Sequence, residues 1–221
     1  MASVFMRKQE DLFLAKRIMI EKNLKGRDIV DPRVLAAMES VPREKFIPLE
    51  DMDVAYSDFP LSIGHGQTIS QPYIVALMAQ SLQIGPQDTV LEIGAGCGYQ
   101  AAVLSCLASK VYTLEIIEVL AKRAEATLRN LGYDNVHVIH ADGTHGWPKG
   151  APYDRVIAAA TAKKIPRALE DQLGEGGRII IPLGQAMIQD LVVGVKREGK
   201  VDYTSVTAVR FVPMTGDALK L

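Results

Sequence analysis

The chain has 221 residues, 48% of them hydrophobic, and its 25 Lys and Arg against 26 Asp and Glu leave a formal charge of -1. That length fits one domain of about 150 residues with additions, stable on its own core, and the balanced charge lacks the basic footprint that a phosphate backbone demands. No apolar run reaches the roughly 18 residues of a membrane span, and Met1 to Glu10 shows no basic segment followed by an apolar one, so nucleic acid and membrane partners are set aside and a cytoplasmic protein is expected.

In "RKQEDLFLAKRIMIEKN", Leu12, Ala15, Ile18 and Met19 recur at helical spacing and Gly26 offers a stop. Asp31-Pro32 opens a second helix, "PRVLAAMESV", because Asp caps an N-terminus and Pro is tolerated at the first helical position; Pro42 ends it. From Phe46 to Gln67 the chain is rich in Pro, Gly and Asp without periodicity, and so long a loop in a compact protein points to function. Ser70 is read as the start of the next helix, through "QPYIVALMAQSL", with its hydroxyl placed to cap the free amides. A single domain over 1–221 is expected, with 1–70 as helical cap and substrate-side loop and 71–221 as the ligand-binding core.

From Asp88 the pattern alternates: "TVLEIG", "QAAVLSCLA", "KVYTLE", "EVLAKRAEATLRNLG", "VHVIHA", "YDRVIAAA", "PRALEDQL", "RIIIPLG". Strand and helix in turn predict an α/β fold, a mostly parallel sheet with helices on both faces. "QDLVVGVKR" and "YTSVTAVRFVP" follow short turns without a helix between, so they are expected as antiparallel edge strands. Cys97 and Cys106 are expected to share the helix after the glycines, roughly 13 Å apart at about 1.5 Å per residue, too far for a disulfide.

The glycine loop is Gly94-Ala95-Gly96-Cys97-Gly98, and Tyr99 stands where a dinucleotide fingerprint has its third glycine. Glycines let a backbone approach a ligand closely and take positive φ. Glu92, just ahead of them, would repel a pyrophosphate and attract an ammonium. Glu115, closing "KVYTLE", can accept from both ribose hydroxyls, or serve as a helix-start carboxylate. Asp142 can accept from an exocyclic amine while Gly143 leaves room for a ring, or the pair forms an ordinary turn. Together they spell an adenosyl ligand with a cationic head. His65, His137, His140 and His145 are scattered along the chain without a carboxylate or Cys partner at ligand spacing, and no metal is expected.

These segments resemble the protein-L-isoaspartate O-methyltransferase family. The resemblance rests on "DPRVLAAMESVPREKFIP", "GHGQTISQPYIVALM", "VLEIGAGCGYQAAVLS", "VYTLEIIEVLAKRA", "ADGTHGWPKGAPYDRVIAAATAKKIP" and "RFVPMTG", in the family's order over nearly the whole chain. The glycine loop implies only a methyltransferase; "GQTISQP" and "RFVPMTG" narrow it. Cys97 stands where the family commonly has Ser or Thr, and Ala141 where it has a second Gly. Lys163 and Lys164 stand near where it tends to have Pro or an acidic residue, a change that bears on substrate preference.

The resemblance implies a Rossmann-like methyltransferase fold, S-adenosyl-L-methionine as cofactor with S-adenosyl-L-homocysteine as product, and isoaspartyl peptides and proteins as partners of a monomer. Cofactor contacts are implied for Thr68, Ile69, Glu92, Gly94, Gly96, Gly98, Glu115, Asp142 and Gly143. Ser70 is implied as the catalytic residue that positions the substrate carboxylate, and Val212 and Thr215 as borders of the peptide cleft. The alternative is a methyltransferase for another carboxylate or a small molecule. A nucleobase amino-methyltransferase is disfavoured, because "AAATAKKIP" occupies the place of the Asn/Asp-Pro-Pro-aromatic turn; an NAD reductase is disfavoured by Glu92, Tyr99 and the lack of a Tyr/Lys relay.

Overall fold

The computed structural model describes residues 2–184 and 187–217, with side chains from residue 9 onward; the two ends of the expected domain, residue 1 and 218–221, lie outside the described residues. Helix α1 (Ala2–Ile18) runs directly into a π-helical turn, Met19–Lys25, which Gly26 closes by donating its N–H to the carbonyls of Glu21 and Leu24. A π turn is wider than an α turn and shifts the register of everything after it. Met19, Ile20 and Leu24 therefore go inside, while Ile18, expected on the buried face, is 44% exposed. Helix α2 (Pro32–Ser40) begins as predicted, with the Asp31 carboxylate accepting the Arg33 N–H, and it buries Val34, Ala37 and Met38.

The segment Phe46–Gln67, read as a loop, holds a 3-10 turn at Leu49–Val54 and most of a hairpin, β1 (Leu61–Gly64) with β2 (Gln67–Ile69). Its turn residues Gly64, His65 and Gly66 all have positive φ. Helix α3 (Pro72–Leu82) starts two residues later than expected, and Ser70 does not cap it. The cap comes instead from Asp58 in the loop, which accepts the Tyr73 N–H at 3.1 Å and the Gln71 side-chain amide at 2.8 Å. Asp58→Ala is expected to cost about 1–2 kcal/mol, a fall in melting temperature of about 2–8 °C, measured by thermal denaturation.

The sheet is built from β3 (Thr89–Ile93), β4 (Lys110–Glu115), β5 (Val136–His140), β6 (Tyr153–Ala158), β7 (Leu173–Leu183), β8 (Gln189–Arg197) and β9 (Lys200–Val209), with α4 (Tyr99–Ser105), α5 (Glu118–Asn130) and α6 (Arg167–Gln172) between them. The strand order is β5-β4-β3-β6-β7-β8-β9, parallel through β7, with β8 and β9 antiparallel as expected. Side chains alternate across a strand: Val90 joins a cluster with α3, α4, α5 and the N-terminal helices, whereas Leu91 and Ile93 join another with Leu169 of α6 and Met214. Helices thus cover both faces, and the cap shares a core with the sheet. Cys97 and Cys106 do not share a helix: α4 is only seven residues long, Cys97 precedes it, Cys106 follows it, and both are free.

From β3 the chain moves outward to β4 and β5, then returns to β6 on the other side of β3. That reversal opens a crevice beyond the carboxyl ends of β3 and β6, the place where open α/β sheets bind ligands.

Candidate functional site

At that crevice the glycine loop, the end of β4, strand β2 with the start of α3, and residues 208–215 enclose a cavity of about 1040 Å³. Gly94, Gly96 and Gly98 have φ of 93°, 55° and 91°, a region that only glycine enters without strain. Gly98 is needed twice, since a Cβ there would also lie 3.0 Å from Leu128 Cδ1. The loop is tied to β4 by the N–H groups of Gly94 and Ala95, which donate to the Leu114 carbonyl at 2.8 and 3.0 Å.

Glu115 lines the cavity at 6% exposure. One carboxylate oxygen accepts the Gly96 N–H at 2.8 Å and the other the Ile117 N–H at 2.9 Å, so the side chain clamps the glycine loop to the start of α5. The helix-start alternative is therefore real, yet a carboxylate has about four lone-pair sites, and the remaining ones are available to a ligand.

Thr68, Ile69, Ser70, Gly94, Gly96, Gly143, Val212 and Thr215 also line the cavity. Ser70 is half-buried, and its hydroxyl makes no hydrogen bond among the described residues. Gly143 is required by its neighbour before any ligand: a Cβ would stand 2.3 Å from Ile93 Cγ2.

Three residues expected at the ligand, Glu92, Gly98 and Asp142, are not in the cavity wall. Glu92 is fully buried, because the alternation of β3 puts it on the same face as Val90, beneath α4. The Thr113 hydroxyl donates to its Oε2 at 2.5 Å, while its Oε1 and both amide atoms of nearby Gln100 lack a hydrogen bond of good geometry. Burial pushes its carboxyl up to about 8, so at neutral pH it holds its proton, and the expected charged partner for an ammonium is corrected to a neutral acid under the loop. The unfolded chain releases this proton near 4.5 and the folded chain near 8. Between those values the folded state binds more protons, so this group's contribution to stability falls as pH rises from about 4.5 to 8 and is flat beyond. Glu92→Gln is expected to remove that slope and, by pH 8, to exceed the parent's stability by on the order of a few kcal/mol, measured by denaturant melts across the range.

Asp142 caps the turn that follows it. Its Oδ1 accepts the Thr144 N–H at 2.9 Å and the Thr144 hydroxyl at 2.7 Å, and its Oδ2 accepts the Asp217 N–H at 2.8 Å. Burial raises this carboxyl, but those donors outweigh it and hold it below its usual value. The turn reading is thus what these bonds support, with an amine acceptor left little free capacity. His145 also departs from expectation: its Nε2 lies 3.0 Å from an Asp217 carboxylate oxygen, and ligand atoms of Asp142, His145 and Asp217 gather within 4.8 Å. Residues 72 apart in sequence make that group, so spacing could not reveal it.

Sequence reasoning missed Ile116, Ile117, Met187, Ile188 and Arg210, which line the cavity. A signal existed for one pair: two isoleucines directly after an acidic strand end, where a turn is ordinarily polar.

Residues 15–219 match the model of the family described as protein-L-isoaspartate(D-aspartate) O-methyltransferase. The chain belongs to that family. Within this methyltransferase family, a protein of Nitrosococcus oceani called protein-L-isoaspartate O-methyltransferase 2 is 53% identical over 192 residues, 86% of this chain and 88% of that one. A solved protein-L-isoaspartate O-methyltransferase superposes with a TM-score of 0.80 at 27% identity, covering 96% of this chain and 67% of its own. A second, described as a putative protein-L-isoaspartate O-methyltransferase from Plasmodium falciparum in complex with S-adenosyl-L-homocysteine, gives 0.77 at 26% identity over 90% and 97% of the two chains. The Rossmann-like methyltransferase fold expected from the sequence is the fold observed.

Proposed function

We propose that this protein transfers a methyl group from S-adenosyl-L-methionine to the free α-carboxylate of L-isoaspartyl residues in proteins and peptides. The observation that carries the reading is Ser70, which lines the cavity and whose hydroxyl has no hydrogen-bond partner among the described residues, while Asp58 performs the helix capping.

The residues fit the cofactor. Gly94 and Gly96, with positive φ, bring backbone without a side chain to the cavity wall, and Glu115 offers open lone pairs at the strand end where a ribose is held in related folds. A cavity of about 1040 Å³ stands at the upper end of the range for small-ligand sites, which suits a nucleoside with an acceptor beside it. When bound, S-adenosyl-L-methionine supplies a methyl group already activated on a sulfonium.

The protein's own task is alignment. An isoaspartyl carboxylate is ionised at neutral pH and needs no general base. Ser70 can donate to one of its oxygens and so direct the other. The apolar side chains of Ile69, Ile93, Val212 and Met214 border the cavity and keep water from the nucleophile, and holding reactants in line can supply up to roughly 7–11 kcal/mol. The neighbouring backbone amide nitrogen then attacks the ester carbonyl, the chain closes to succinimide as methanol leaves, and hydrolysis of that ring returns part of the residue to normal aspartate, so repeated cycles amount to repair. The two free cysteines suit a reducing compartment such as the cytoplasm.

The test is transfer of radiolabelled methyl to a synthetic peptide with one isoaspartyl residue, beside the same peptide with normal aspartate. Base-labile label on the isoaspartyl form alone is expected. Label on neither, with the cofactor bound, overturns the acceptor assignment.

A further inference from the structure

Among the described residues that line the cavity, only Glu115 and Arg210 carry formal charge. Both oxygens of Glu115 accept backbone N–H groups. Arg210 is exposed and makes no ion pair or hydrogen bond among the described residues. It stands where the chain leaves edge strand β9 and turns back across the mouth of the crevice. The Phe211 N–H donates to the Gln189 side chain at 2.6 Å, and Thr161 then receives the strap: its N–H donates to the Val212 carbonyl at 2.9 Å, and its carbonyl accepts the Met214 N–H at 2.8 Å.

Lys163 and Lys164 emerge immediately beyond Thr161 and Ala162, exposed and likewise without an ion pair or hydrogen bond among the described residues. The strap Arg210–Pro213 thus has a cation at its start and two more past its far anchor; because Thr161 pairs in parallel with Pro213, Lys163 and Lys164 lie five and six residues' length along from Arg210, up to roughly 20 Å away. The acid nearest in register, Asp190 opposite Ala208, is held by the Ser205 hydroxyl at 2.6 Å and forms no ion pair with Arg210.

We propose that Arg210, with Lys163 and Lys164, forms a basic rim that selects isoaspartyl segments whose neighbouring residues are acidic. The proposal rests on the isoaspartyl reading above. Pairing of Arg210 with the reacting carboxylate is the weaker use of this charge, since a contact that stabilises the ground-state anion as much as the transition state adds nothing to the chemical step. Flanking carboxylates stay charged throughout the reaction, so attraction to them lowers KM and speeds encounter without opposing methyl transfer.

The experiment uses three peptides with one central isoaspartyl residue and either Glu, Gln or Lys on both sides. At low ionic strength kcat/KM is expected to fall in that order, roughly fivefold between the extremes, with the difference in KM, and to converge at high salt. The charge reversal R210E together with K163E and K164E is expected to reverse the order. Ratios are taken within one enzyme preparation, so partial loss of folded protein cancels. Equal kcat/KM for the acidic and basic peptides at low salt, or an unreversed order in the variant, overturns the rim while turnover of the neutral peptide leaves the isoaspartyl reading standing. No turnover of any of the three overturns both.

Discussion

Glu115→Ala is expected to raise the dissociation constant for S-adenosyl-L-methionine about ten- to a hundredfold. Hydrogen bonds to charged groups contribute about 1.5–3 kcal/mol each, and each 1.4 kcal/mol is a factor of ten. The carboxylate acts twice here. It is the proposed acceptor for the ribose, and it also holds the Gly96 and Ile117 N–H groups, so truncation frees the loop that forms the cradle. Glu115→Gln separates the two, because the amide keeps one acceptor oxygen but presents an NH₂ to the other N–H; an intermediate loss is expected. Isothermal titration calorimetry gives the affinities, and a melt without ligand reports how far the loop itself is weakened. Unchanged affinity in the alanine variant would discard the ribose assignment.

The parallel sheet was legible because β3, β4, β6 and β7 are each flanked by strands on both sides and read as apolar runs between helical segments. The glycine loop was legible because chemistry restricts it: three positive φ angles in five residues leave few choices but glycine. The hairpin β1–β2 was not, since strands of four and three residues carry too little alternation to be seen. It is held from outside, where Arg123 of α5 donates to the Ile63 carbonyl at 2.6 Å. Asp58 illustrates the same limit, because the cap of α3 lies 15 residues before Tyr73, and no local pattern links them. Glu92 was misplaced for a different reason. Its position beside the glycines was read as proximity to the ligand, although period-two alternation already put it with Val90 and away from Leu91 and Ile93. Asp142 and His145 depend on Asp217, which arrives only after the chain has crossed the sheet and returned.

Ser70→Ala is expected to lower kcat/KM for an isoaspartyl peptide about ten- to a hundredfold while leaving cofactor affinity within about twofold and stability within about 0.5 kcal/mol. The three readouts follow from one fact: the hydroxyl has no hydrogen bond to lose among the described residues, so its removal strands no donor or acceptor there and uncaps no helix. Its cost falls on the step at which a substrate carboxylate must be held. Asp58→Ala is the matched contrast, because it leaves the hydroxyl in place and removes the bonds that fix Gln71 and Tyr73 just after it; it should lower the melting temperature first and turnover only through misplacement of Ser70. If Ser70→Ala instead melts as early as Asp58→Ala with turnover per folded molecule intact, the hydroxyl is structural, and the group that orients the carboxylate must be sought elsewhere on the wall, with Thr68 and Thr215 the aliphatic hydroxyls that remain to be tested.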